Sequence, residues 1–532
     1  MKRLLVFFFT LLLPVLTFAQ ENQELTIDQK IDQWFGQATG WFVNLIFYQI
    51  PIGNVRVFWV LFPLILGALY FTFYFKLINF TGFGRAIRVV QGKYDDLEVQ
   101  EVGTLAGDPT PNVGDIPETI KVEGKDGEVS HFQALTAALS ATVGLGNIAG
   151  VAIALSIGGA GATFWMIVAG FLGMASKFVE CTLGVKYRDI DADGTVYGGP
   201  MYYLSKGLNS IGMGGLGKVL AAVFAVFVIG GSFGGGNMFQ VNQAFQLVEN
   251  ITGGESSFLY GKGWLFGVVM SILVGIVIIG GIKSIAKVTE KIVPFMVAIY
   301  VGASLFVLAA KFNMIGDAFG QIIDGAFSPE GVVGGAVGVL VQGFRRAAFS
   351  NEAGIGSAAI AHSAVKTKYP ASEGLVALLE PFIDTVVVCT MTALVLIITG
   401  SLGEASSSMN DAQAILLTSG AFESVIGWFP YVLTIAVVLF AFSSMISWSY
   451  YGFQGWSYLF GRTKQMEYLY KVIFCIFVVI GAAASLGSVI GFSDAMIFAM
   501  MVPNMIGLVF LAPKVKEELS KYLTAIKTKL GK

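Results

Sequence analysis

Thr142-Val143-Gly144-Leu145-Gly146-Asn147-Ile148-Ala149-Gly150 and Phe349-Ser350-Asn351-Glu352-Ala353-Gly354-Ile355-Gly356-Ser357 decide how this chain is read. Each segment sits inside a long apolar run, yet each sets glycines beside asparagine or hydroxyl residues. Non-helical backbone survives at membrane depth only where it lines a cavity. There, freed N–H groups at a half-helix N-terminus bind a carboxylate, and freed carbonyls bind a cation or an ammonium group. Glycine allows both the unwinding and the close approach of a ligand. The two segments are therefore read as helix breaks that build a site. Most of the chain's 66 glycines are read as close helix crossings.

Working outward, apolar runs near 132–157, 163–186, 218–248, 264–282, 291–311, 331–362, 373–400, 427–459, 467–487 and 489–511 follow an outer first span at 55–79, eleven in all by hydropathy. The ten core spans divide into repeats at 131–311 and 312–511, and each quoted break lies in the first helix of its repeat. An odd number of spans per repeat inverts one half against the other. The composition agrees: 55% of residues are hydrophobic and 13% charged, against about 25% charged in soluble chains. The expected class is an all-α polytopic membrane protein.

Other function classes find little support. A net charge of −2 with no basic domain gives no reason to expect nucleic acid. Cys181, Cys389 and Cys475 each lie in apolar runs, which argues against a disulfide framework or a Cys-based metal site. His131 and His362 are the only histidines, too few for a histidine-rich centre or relay. A membrane-embedded enzyme needs a nucleophile, base or metal cluster at one depth, and no such set stands out. A channel would carry polar or charged rings along its pore, whereas paired helix breaks favour a carrier.

Loop charges set the direction. Lys2 and Arg3, apolar residues 4–18 and Ala19 read as a signal peptide over 1–19. Residues 20–54 then form an extracytoplasmic segment, in which Ile31, Trp34, Phe35, Trp41, Phe42 and Ile46 predict an interfacial helix. Residues 55–92 hold the first span and its cytoplasmic connection, with Lys76, Arg85 and Arg88. Lys186 and Arg188, Lys283 and Lys287, Lys366 and Lys368, Arg462 and Lys464, and the basic tail 512–532 all fall on one side. The positive-inside rule puts that side in the cytoplasm and the N-terminus outside, in a multi-pass cell (inner) membrane protein. Residues 93–130 are an acidic cytoplasmic insert that covers part of the inner face.

Residues 138–152, Phe164-Trp165-Met166, Lys177-Phe178-Val179-Glu180, Gly198-Gly199-Pro200-Met201-Tyr202-Tyr203, Ser350-Asn351-Glu352-Ala353-Gly354 and Ala361-His362 together closely resemble the alanine or glycine:cation symporter family, over about residues 55–515. The resemblance implies a LeuT-like fold of 5+5 inverted repeats with one extra N-terminal transmembrane helix, and sodium-driven import of alanine or glycine. It implies Na+ as coupling ion, no other cofactor, and no obligate protein partner. Carried over by position, Thr142, Gly144, Gly146 and Asn147 hold the amino acid's carboxylate and ammonium groups, with Gln240 as a polar contact and Phe349, Ser350 and Asn351 in the second break. Asn237 and Gln240 are expected to share a face, as are Ser444 and Trp448, with Trp448 closing the side-chain end of the pocket. Thr142, Leu145, Ala441, Ser443 and Ser444 are the implied sodium ligands, an all-oxygen set that suits a hard cation. A proton-coupled carrier is the alternative within this class.

Buried charges complete the expectation. Intramembrane ionisable residues are functional candidates by default. Glu352 is expected either to titrate as a gate or to pair with Arg345 or Arg346. Glu180, Glu380 and Asp384 lie in other spans, the last two four apart on one face. Two motifs are discounted. Gly230-Gly231-Ser232-Phe233-Gly234 mimics a nucleophile elbow but lies in a helix. The run from Asp189 starts like an EF-hand loop, but has Pro200 where a bidentate Glu belongs.

Overall fold

The computed structural model describes residues 26–52, 55–97, 127–192, 194–328, 335–402 and 414–530. The expected signal peptide and most of the acidic insert lie outside the described residues.

Helix α1, Ile27–Ile46, begins at a reciprocal cap: the Thr26 side chain accepts from the Gln29 amide, and the Gln29 side chain accepts from the Thr26 amide. It buries Phe35, Phe42 and Ile46. A hairpin, β1 (Gln49–Ile52) with β2 (Val55–Phe58), follows, so the first span is shorter than expected at its start. Hydropathy could not separate this apolar hairpin from the helix α2, Leu61–Tyr74, and amphipathic α3, Phe83–Val90, comes next.

The core opens with a broken helix. Its first half α4, His131–Thr142, starts at the Ser130–Gln133 cap, and its second half α5 is Ala149–Gly158, with a short turn at Leu145–Asn147 between them. The two halves are bent by 56°. Four further helices complete the first run: α6 (Ala162–Lys186), α7 (Gly214–Ile251), α8 (Gly263–Ile278) and α9 (Gly281–Ala310). A connecting helix α10, Ile315–Phe327, leads to the second broken helix, α11 (Gly335–Asn351) and α12 (Ala358–His362). Then come α13 (Pro370–Ile398), the short α14 (Ala414–Glu423), α15 (Phe429–Phe460), α16 (Lys464–Ala483) and α17 (Leu486–Lys529). Each run of five thus opens on a broken helix, in an all-α polytopic architecture. Among the described residues, seven helices are long and apolar enough to cross a membrane by themselves, and the bent pair α4–α5 is so taken together.

Two helices change winding near the middle of the bundle. Gly234–Met238 in α7 is π-helical, at a run of three glycines. Phe382–Cys389 in α13 is π-helical directly after Pro381, which has no N–H to close the preceding turn.

One end of the bundle carries Lys186, Lys366, Lys368 and Arg462; we call it the basic end. There, a parallel bridge joins Val129 to Val365, so the last residues of the predicted insert are built into the core. Arg462 pairs with Asp189 and Asp191, which accounts for the EF-hand-like run as an ion-paired turn. The opposite, hairpin end carries α1. There, Asp28 accepts from the Gly263 amide at the start of α8, and Asp32 accepts from the Ser485 amide at the start of α17. Both carboxylates therefore sit at positive helix ends.

Candidate functional site

The two breaks touch. At the first, Gly144 is extended (φ −138°, ψ −149°), and its N–H is taken by the Asn147 Oδ1 at 2.9 Å. At the second, Glu352, Gly354 and Gly356 have φ of +56°, +85° and +98°. Left-handed backbone is ordinary for glycine, but costs a residue such as Glu352 roughly 1–2 kcal/mol. A Cβ on Gly146 would lie 3.4 Å from the Ser350 Cα and 3.6 Å from the Phe349 ring, so the breaks meet backbone to backbone.

Asp384 binds both. The Asn147 amide donates to its Oδ1 at 2.6 Å, the Ser350 hydroxyl donates to its Oδ2 at 2.7 Å, and Thr385 donates to Oδ2 at 2.7 Å. Asn351 in turn donates to Thr385 at 2.8 Å. Asp384 is fully buried, and all three of these donors are neutral. A carboxylate held this way is hydrogen-bonded but not neutralised, and removing it from water is costly without a cation. Sequence reasoning had Asp384 only as a charge in another span. The signal that finds it is an aspartate directly within an apolar helix, one turn after a proline.

The remaining predicted residues fall around the first break. Gln240 accepts from the Leu145 amide at 3.3 Å. A Cβ on Gly144 would lie 2.6 Å from the Ser444 hydroxyl and 3.2 Å from the Gln240 Oε1, so only glycine fits there. Ser444 donates to the Ser140 carbonyl at 3.0 Å, and Ser140 donates back to the Ser443 carbonyl at 2.9 Å. Ser443 donates to the Phe440 carbonyl at 3.0 Å, and Thr142 to the Ala138 carbonyl at 3.2 Å. Ala441 is buried on the same helix, one turn before Ser444. Trp448 is buried against Gly231 and Gly236, where any side chain on Gly236 would collide with its ring.

Three expectations are corrected. Asn237 does not accompany Gln240: it donates to the Phe474 carbonyl at 2.8 Å, because the π-helical turn through Gly234–Met238 upsets the α-helical register. Glu380 and Asp384 diverge for the same reason on α13, Glu380 pointing to the basic-end cluster below. Glu352 is not the partner of Arg345 or Arg346. Both arginines pair with Asp494 on α17, at 2.7 and 2.6 Å, on the hairpin side of the crossing, while Glu352 accepts from Ser357.

The two histidines, read as too few for a relay, are brought together. His131 and His362 both contact the Glu373 carboxylate, and His362 also contacts Glu380. Glu380 pairs with Lys177 at 2.8 Å. Nearby, Asn504 donates to Glu180 at 2.7 Å and to the Gly354 carbonyl at 2.9 Å. Large sequence separations hid this cluster. Among the described residues, no group of three or more His, Cys, Asp or Glu is placed to hold a metal ion.

Comparison with known proteins follows this geometry. Residues 112–532 match the sodium:alanine symporter family. The chain is similar to the sodium/alanine symporter AgcS of Methanococcus maripaludis, 43% identical over 397 residues, which are 74% of this chain and 84% of that protein. It is also similar to the amino-acid carrier protein AlsT of Bacillus subtilis, 33% identical over 394 residues, 74% of this chain and 80% of that protein. Among solved structures, MhsT in complex with L-phenylalanine has 16% identity and a TM-score of 0.49, over 76% of this chain and 100% of that chain.

Proposed function

Because this chain belongs to the sodium:alanine symporter family, we propose that it imports small neutral amino acids, alanine and glycine first, by sodium symport with alternating access. It is a transporter and not an enzyme. The observation that carries the finer reading is Asp384, a buried carboxylate that hydrogen-bonds both helix breaks through Asn147 and Ser350. It supplies the negative charge that a cation, either sodium or the ammonium of the amino acid, neutralises on binding. The unwound backbone at Gly144 and Gly146 receives the amino acid's carboxylate, which displaces the Asn147 Oδ1 from the Gly144 N–H, with Gln240 beside it. Thr142, Leu145, Ala441, Ser443 and Ser444 supply a sodium shell at the contact of α15 with the first break. Phe349, Asn351 and Trp448 shape a pocket that limits the side chain to a small one.

Access alternates between two closures. The Arg345–Arg346–Asp494 group shuts the hairpin end, and the His–Glu–Lys cluster shuts the basic end. The loop charges support a cytoplasmic basic end and an outside N-terminus, and with them the reading of a multi-pass inner-membrane protein.

The test is radiolabelled alanine uptake into proteoliposomes under an inward sodium gradient against an equal potassium gradient. Uptake is expected only with sodium. Asp384→Asn, which keeps shape and removes the charge, is expected to lower it at least about 100-fold, as losing a buried ionic contact of about 3 kcal/mol would do. Equal uptake in both gradients ends the sodium claim. The buried histidines favour one second reading: uptake without sodium that follows an inward proton gradient would make this a proton-coupled carrier.

A further inference from the structure

We propose that the imidazole of His362, held between the carboxylates of Glu373 and Glu380, carries one extra proton that locks the basic end of the bundle, and that this end opens when the proton leaves. The lock rests on the transport reading above; the proton site does not.

The inference follows from counting donors. The His362 Nδ1 contacts the Glu373 Oε1, and its Nε2 contacts the Glu380 Oε1. An ionised carboxylate only accepts hydrogen bonds, and a neutral imidazole has one N–H and one lone pair. Two carboxylates cannot both be satisfied by a neutral ring. One more proton must be present, on the ring or on one carboxyl. The other two carboxylate oxygens are already engaged, the Glu373 Oε2 by the His131 Nδ1 and the Glu380 Oε2 by the Lys177 ammonium at 2.8 Å. With the extra proton, the charges of Lys177, Glu373, Glu380 and His362 cancel. Without it, a negative charge is left buried in residues that are fully inaccessible to water, and a lone pair faces a carboxylate.

The position of the cluster makes it a lock. His131 is the first residue of α4 and His362 the last of α12, so each sits on the basic-end half of a broken helix. Glu373 and Glu380 belong to α13, on either side of the turn at Leu378, and Lys177 belongs to the continuous helix α6. The proton therefore joins the basic-end halves of both broken helices to the two helices packed beside them. The carbonyls that follow His362, of Ser363 and Val365, are held by Arg188, and Val365 is bridged to Val129, so release of α12 also frees the start of α4. Among the described residues, the other titratable groups facing this chain of contacts include Glu180 and Cys181 from α6, Glu352 from the second break, Asp384 from α13 and Tyr451 from α15. Glu180 is held by Asn504 and Glu352 by Ser357, so neither hydrogen-bonds His362.

Glu373→Gln tests this directly. The amide donates to a neutral His362 and accepts from His131, so every contact is met with no extra proton. Two measurements are compared with wild type. In detergent, between about pH 5 and 9, the wild-type melting temperature should fall with rising pH relative to the variant, since a proton bound by the folded state is lost. In proteoliposomes at saturating alanine and a fixed sodium gradient, wild-type turnover should rise with pH on the basic-end side, and the variant should not respond. A melting difference that does not change with pH overturns the proton site. A pH-dependent melting difference with pH-independent turnover overturns the lock. Failure of Glu373→Gln to fold also counts against the proposal, because the amide leaves no contact unmet. Absence of alanine uptake by wild type at every pH would remove the transport reading instead, and the melting curves would still decide the proton.

Discussion

The two closures of this bundle use charge in opposite ways. At the hairpin end, Arg345 and Arg346 converge on a single oxygen of Asp494, while the Asp494 Oδ1 and the Nε and Nη1 of Arg346 have no hydrogen-bond partner among the described residues. Two cations share one anion, and Arg345 rests on the rings of Phe47 and Phe58 at 4.7 and 5.4 Å. At the basic end, nitrogen bases and carboxylates alternate through His131, Glu373, His362, Glu380 and Lys177, and each carboxylate oxygen has its own partner. A half-satisfied group is poised to rearrange or to take up another anion; a satisfied network holds one arrangement firmly. In the proposed transport cycle, the hairpin end exchanges partners and the basic end stays shut until its charge changes.

Mutations should sharpen that contrast. Glu380→Ala strands Lys177 and removes one wall from His362, and breaking a buried pair on one side costs about 3–5 kcal/mol. Detergent melts should show the largest loss here, and Lys177→Met with Glu380→Leu should restore most of it. If Glu380→Ala melts like wild type, the basic end is not held by this network. Asp494→Asn leaves two neighbouring guanidinium groups without their anion, and is expected to cost about 1–3 kcal/mol. It should also raise the reactivity of a cysteine placed at Val341 toward a membrane-impermeant thiol reagent, while the same label placed at Ala364 stays protected. The smallest effect is expected for Arg345→Ala, whose side chain is 15% exposed and whose loss leaves Arg346 on Asp494, at about 1 kcal/mol or less. An effect as large as that of Glu380→Ala would mean the two ends are closed alike.

The sequence displays what is periodic and hides what is transverse. The ten core apolar runs and the two glycine breaks were readable, because each is local to a stretch of consecutive residues. The start of the first span was misread because an apolar hairpin and an apolar helix look the same to hydropathy. Asn237 and Glu380 were assigned to the wrong faces because face assignments assume 3.6 residues per turn, and both lie beside π-helical windings. Three glycines and a proline mark those windings only in hindsight. Asp384 and the His131–His362 pair escaped for another reason: Asp384 meets Asn147 across 237 positions and His131 meets Glu373 across 242, and no spacing rule reaches that far.

The contact of α1 with the far part of the chain has a consequence in time. Asp32 meets Ser485 across 453 positions of sequence. At about 5–20 residues per second of synthesis, the first helix waits roughly 20–90 s before its second landing point exists. During that wait its apolar stripe of Phe35, Phe42 and Ile46 lacks the far helix that packs on it through Phe492. A chaperone or a protease that reaches this segment meets it before the rest of the protein is finished.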